Sequence, residues 1–255
     1  EPLNKTAVII YIRSAHELIH NTRFPSFKQY ISKSQNIQNT MDLQERGEHI
    51  YNTLERLRAD ENGWKVCKKG KDVIVYWRPS EESGGTMYRS VGNIDAPPEK
   101  VWKYLDPRPG TWRPLWDKAV PAINPVQIIS EELLVVNSQT SSAMMGMISP
   151  RDFVDLVLIK VREHDGAYTT NSHSHQNPDV CPPHPNFVRG TNSYCGVVCQ
   201  PIPGEPNKTR IINIMDTNIG GMLPKSLVDS ALPSNQIGMF QDLRNAIRKN
   251  IRPKE

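Results

Sequence analysis

An α+β fold is predicted for this chain: a curved, mostly antiparallel sheet of about nine strands, closed by a long C-terminal helix. Three observations predict it. Strand-like runs follow one another through short turns such as Lys69-Gly70-Lys71, Gly84-Gly85 and Pro203-Gly204-Glu205-Pro206. Helical apolar spacing is strongest at the two ends of that series. Finally, a twisted sheet of this size tends to curl, and an amphipathic helix across the trough would leave a cavity suited to a small molecule.

Taken in order, Leu43, Gly47, Ile50, Leu54 and Leu57 recur at helical spacing, with Glu45, Glu48, Arg56 and Arg58 on other faces. This predicts a helix opening near Met41 and ending before Asn62-Gly63. Strands follow over Trp64 to Lys68, Asp72 to Arg78 and Thr86 to Ile94. Pro97-Pro98 starts a short helix to Leu105, because proline suits a first helical turn. One or two helical turns are expected between Thr111 and Lys118. About six strands come next: a pair near Ile128-Ile129 and Leu133 to Asn137, then Phe153 to Val161, Tyr168 to His175, Phe187 to Cys199 and Arg210 to Asn218. The last helix spans Pro224 to Lys249, with a kink or break expected at Pro233.

Residues 1–40 lack a sustained period, so they read as a weakly ordered extension, with one domain over residues 41–255. Bulk properties exclude several classes. A net charge of +4 is too small to argue for nucleic acid. No run approaches the roughly 20 apolar residues of a membrane-spanning helix. Four cysteines without paired spacing (Cys67, Cys181, Cys195, Cys199) fit a reducing, cytoplasmic location. His173, His175, Cys181 and His184 form the best metal candidate, but their spacing completes no ligand set, and neither a metal nor a cofactor is expected. No GxSxG elbow, P-loop, HExxH or GxGxxG is present, so the expectation is a protein without catalysis.

At Ser149-Pro150-Arg151-Asp152-Phe153-Val154-Asp155 the chain resembles the START domain (StAR-related lipid transfer) family. The resemblance is strongest to its small, stand-alone sterol and bile-acid carriers. It recurs in Gly63-Trp64-Lys65-Val66, Trp77-Arg78-Pro79-Ser80, Trp116-Asp117, Cys181-Pro182-Pro183, Phe187-Val188-Arg189-Gly190 and Leu223-Pro224. These motifs stand in family order over about 205 residues from Leu43 to Ile251. The resemblance implies a helix-grip fold holding one lipid between sheet and helix, and binding and transfer of a sterol or related lipid by a monomer that touches membranes transiently. A carotenoid is the alternative cargo, since other START proteins carry them. A lipid-sensing module that binds a partner, or an enzyme built on the cavity, is a second alternative.

The resemblance also implies site residues. Arg113 matches a cavity-facing arginine and reads as an anchor for a ligand hydroxyl or carboxylate, or else as a surface arginine near a loop. Ser138 and Thr169 match hydroxyl-bearing cavity positions in the bile-acid-carrying relative, with ordinary strand residues as the other reading. One family branch pairs an acid with an arginine inside the cavity; here those positions are Ser138 and Val157, so that charged pair is absent. Ser193-Tyr194 stands where nearer relatives have His-Pro. Strand alternation puts Phe153, Asp155, Val157 and Ile159 on one face, which the charges Lys160 and Arg162 on the other mark as inward. Asp155 then needs a hydrogen-bonding partner or a proton. Met144, Met145 and Met147 lie where the family has its lid loop; flexible apolar side chains suit a gate, or plain packing. Met144, Met147 and Phe240 on the last helix complete the predicted ligand contacts. The basic end of that helix (Arg244, Arg248, Lys249, Arg252, Lys254) suits its dipole or an anionic lipid surface.

Overall fold

A computed structural model describes residues 27–253, with side chains from residue 39 onward. The chain divides into two units, Glu1–Asp42 and Leu43–Glu255, and the sheet, the cavity and the last helix all belong to the second. The extension expected over residues 1–40 lies outside the described residues as far as residue 26. From Phe27 the backbone is helical, so helix α1 (Phe27–Ala59) starts well upstream of Met41.

Strands β1 (Lys65–Gly70), β2 (Val73–Pro79) and β3 (Thr86–Ile94) form a meander, followed by helix α2 (Pro98–Leu105) and a 3-10 turn at Arg113–Leu115. Then come β4 (Ala122–Ile128), β5 (Leu133–Thr140), a 3-10 turn at Met144–Gly146, β6 (Arg151–Val161) and β7 (Tyr168–Ser174). The short strands β8 (Val188–Arg189) and β9 (Thr191–Asn192) precede β10 (Gly196–Ile202), β11 (Glu205–Asn218) and helix α3 (Lys225–Lys249). The sheet runs β1-β2-β3-β11-β10-β7-β6-β5-β4, with β8 on β6 and β9 on β11. Every pairing is antiparallel except β6 with β8. This is the predicted α+β class, and α3 grips one face of the curved sheet.

Three elements differ from expectation. The β1–β2 turn falls at Lys71-Asp72, where Asp72 takes the left-handed conformation (φ 57°) that aspartate tolerates better than most residues. The run from Phe187 to Cys199 is not one strand. Gly190 and Ser193 to Cys195 interrupt it, so β8 pairs with β6, β9 with the end of β11, and β10 with both β11 and β7. And α3 continues unbroken through Pro233. Proline removes one backbone donor, but Ala231, Leu232 and Gln236 on either side are buried and hold that turn against the sheet.

Strand β6 explains why the central sheet reads as nearly continuous apolar sequence. Its first nine residues are all buried. The face bearing Val154, Leu156 and Leu158, expected to be exposed at its far end, is covered by Ile50 and Leu54 of α1. Gly47 makes this approach possible: a Cβ there would lie 3.0 Å from Leu133 Cδ1 and 3.6 Å from Leu158 Cβ. Beyond Leu158, Lys160 pairs with Glu48 of α1 at 2.6 Å, and Arg162 with Glu55 at 3.2 Å, so the outward charges are answered by the helix. On the opposite face, Gly92 of β3 lets α3 settle. A Cβ there would sit 2.7 Å both from the Asp72 carbonyl and from the Phe240 ring.

Candidate ligand cavity

Between the concave face of the sheet and α3 lies a cavity of about 560 Å³. That is inside the range of roughly 300–1,000 Å³ typical of small-molecule sites. Its lining is mixed: Val136, Phe153, Val157, Ile148, Leu232 and Met239 supply apolar surface.

The polar floor follows from strand register. Directly opposed residues of an antiparallel pair share a face. The pairs Asp155↔Ser174, Val157↔Ser172 and Ile159↔Thr170 therefore put three β7 hydroxyls on the face of Asp155. Asp155 is buried at 6% exposure and lines the cavity. Its Oδ2 accepts from Asn192 Nδ2 at 2.7 Å and its Oδ1 from Ser174 Oγ at 3.3 Å. Thr217 Oγ1 donates to Asn192 Oδ1 at 2.7 Å, extending the chain of polar groups along β11. Burial pushes the Asp155 carboxyl up to about 6, against the opposing pull of the Asn192 and Ser174 hydrogen bonds. Close by, burial pushes the Cys195 thiol up to about 12, which keeps it neutral.

The raised Asp155 pKa has a defined consequence for stability. The folded state holds a proton that the unfolded carboxyl, near 3.8, has already lost. Stability from this group is therefore fully present below pH 3.8 and is lost as pH rises through about 6. We expect Asp155→Asn to remove this decline, which amounts to roughly 3 kcal/mol between those limits. Urea unfolding at pH 4 and pH 7 checks it: the wild type should lose more stability across the interval than the variant, and equal losses would contradict it.

At another part of the wall, Arg113 lines the cavity with Nε 2.9 Å from Asp117 Oδ2. Asp117 is 2% exposed, and the pair closes one helical turn, i to i+4. Lys118 reaches from this segment to Asp242 of α3 at 3.3 Å.

Of the predicted ligand contacts, Arg113, Ser138, Asp155, Val157 and Met144 all line the cavity. The other three lie elsewhere. Thr169 points to the opposite face of the sheet, where its hydroxyl donates to the Lys160 carbonyl and accepts from Asn171. Phe240 is fully buried against Gly92, one turn of α3 beyond the lining residue Gln236, and does not line the cavity. Met147 turns outward at 55% exposure, as does Met145 at 99%. The sequence reading missed Ser172, Asn192 and Gln236, which also line the cavity. The best metal candidate does not assemble. His173 and His175 instead each set a ring Nδ1 against the Arg46 guanidinium, at 3.3 and 3.2 Å, and a cation already occupies that position.

A START domain model matches residues 44–251, which is most of the chain and all of the sheet, the cavity and α3. The chain belongs to the START domain family. This START domain is 42% identical over 205 residues to mouse (Mus musculus) StAR-related lipid transfer protein 5, covering 80% of this chain and 95% of that protein. To human (Homo sapiens) StAR-related lipid transfer protein 4 it is 34% identical over 200 residues, covering 78% and 94%. The solved structure of human StAR-related lipid transfer protein 5 superposes with a TM-score of 0.77 at 38% identity, covering 82% of this chain and 98% of that one. The helix-grip reading of the START domain therefore rests on sequence and on architecture together. Among its described residues, no helix is long and apolar enough to cross a membrane.

Proposed function

We propose that this START domain binds one hydrophobic small molecule, a sterol or related lipid, in the cavity and transfers it between membranes unchanged. The observation that carries the reading is a cavity of about 560 Å³ with a mixed lining, in which apolar side chains alternate with polar groups fixed by hydrogen bonds. Such a lining orients one polar end of a lipid while the rest gains from burial, at about 25 cal/mol per Å². The names of the relatives, as lipid transfer proteins, support the same reading.

Within this reading Asp155 accepts a hydrogen bond from a ligand hydroxyl, and Arg113 is a second polar contact nearer the Asp117 pair. Ser138, Val157 and Met144 shape the space between. The Met144–Gly146 turn is the membrane-contacting element: Met144 and Met145 both hold left-handed backbone (φ 52° and 56°), which costs roughly 1–2 kcal/mol per residue. That conformation holds the Met145 side chain in solvent. The protein acts as a monomer in the cytoplasm, where its four free thiols are stable.

Mass spectrometry of the organic extract from protein purified out of its source tests the proposal. One lipid per chain, chemically unmodified, is the expected result. A visible absorbance band and a polyene in the extract would make the cargo a carotenoid, and a converted ligand would make the protein an enzyme.

A further inference from the structure

Gln236 is the polar side chain of α3 whose hydrogen bonding is incomplete. It is 3% exposed and forms part of the cavity wall. Its Oε1 accepts twice, from Ser90 Oγ of β3 and from Asn213 Nδ2 of β11 at 3.2 Å. Both donors come from the sheet, and Ser90 and Asn213 are directly paired across β3 and β11. With Asn213 presenting its Nδ2, turning the Gln236 amide over would set two NH₂ groups against each other, so the oxygen sits on the sheet side. That leaves Nε2 buried without a partner. A buried amide donor with nothing to bond is a cost that native structures rarely carry without a reason. Met239, one turn further along α3, shares this wall and is a flexible side chain.

We propose that Gln236 is a specificity-determining residue, donating from Nε2 to an acceptor oxygen on the part of the ligand that lies against α3. The inference rests on the lipid-carrier reading and adds a chemical requirement to it. Asp155, when ionised, only accepts, and therefore takes a hydroxyl. Gln236 Nε2 only donates, and therefore takes a ketone, hydroxyl oxygen or carboxylate. The cavity has two polar subsites of opposite hydrogen-bonding sense, and the cargo it fits best is a lipid oxygenated at both of them.

Androst-5-en-3β-ol (androstenol) and dehydroepiandrosterone are suitable probes. They share a steroid skeleton and a hydroxyl at one end, and the second adds a ketone at the other. Wild-type protein should bind the ketone-bearing steroid about 5- to 30-fold more tightly, the value of one hydrogen bond to an otherwise unpaired buried donor. In Gln236→Met that preference should fall to near unity. In ¹⁵N spectra of the wild type, the Gln236 side-chain amide should shift with dehydroepiandrosterone and stay in place with androstenol. This measurement decides the matter even where the variant folds poorly. No preference in the wild type, or a preference that survives Gln236→Met, overturns the inference and leaves the carrier reading standing. Failure of the wild type to bind either steroid overturns both.

Discussion

Phe240→Ala should lower the stability of the protein by about 3–5 kcal/mol while leaving the ligand affinity of the folded fraction unchanged. Phe240 is completely buried and sits over Gly92, where there is no side chain to take up the space left behind. Its neighbours Leu243 and Ile247 lie along the same stripe of α3 in the same core cluster, so collapse into the hole would require moving the helix. The measurement is a urea midpoint paired with a ligand titration. A large loss of affinity with an unchanged midpoint would place Phe240 in the ligand site, against the geometry described above.

Arg189→Met should be nearly as damaging, at about 3–5 kcal/mol, because it strands a buried carboxylate. Asp152 is 2% exposed and receives both Nε and Nη2 of Arg189, at 2.9 and 2.7 Å. Without the arginine, Asn137 Nδ2 at 3.1 Å is the side chain left to it. The same guanidinium donates to the carbonyls of Cys181 and Pro182, so the 177–187 segment loses its tether as well. The double replacement Arg189→Met with Asp152→Leu removes the stranded charge and should recover much of the loss. A double variant no better than the single one would mean that the tether, rather than the ion pair, carries the effect.

The order of elements was legible because each depends on local chemistry: alternation in β6, helical spacing around Ile50 and Leu54, and proline at the start of α2. The inward direction of Asp155 could be read from strand alternation together with the charges Lys160 and Arg162 on the other face. Thr169 shows where such reading stops. Its assignment came from resemblance, yet the hairpin pairs Val161 with Tyr168, which puts Tyr168 on the inward face and Thr169 on the outward one. Carrying the alternation of β6 through that turn points to Thr170 and Ser172, which do line the cavity. Phe240 was misplaced for a different reason. The lining face and the core face of α3 are adjacent stripes, and only Gly92, far away in sequence, decides which of them meets the sheet. Asn192 and Gln236 had no local signal at all. Their roles depend on long-range partners, Asp155 for the one and Ser90 with Asn213 for the other.

The central claim is that a lipid is carried inside the cavity, and filling the cavity tests it most directly. Val157 is buried in the wall beside Asp155, on a strand held from both sides, so a tryptophan there projects into the lumen. Transfer of a fluorescent sterol between donor and acceptor vesicles is to be measured for the wild type and for Val157→Trp, with native mass spectrometry on both. Acceleration by the wild type, one sterol per chain, and loss of both in a variant that melts at a similar temperature is the predicted result. Equal transfer and equal loading by the two proteins would contradict it, because the sterol would then be travelling somewhere other than the cavity.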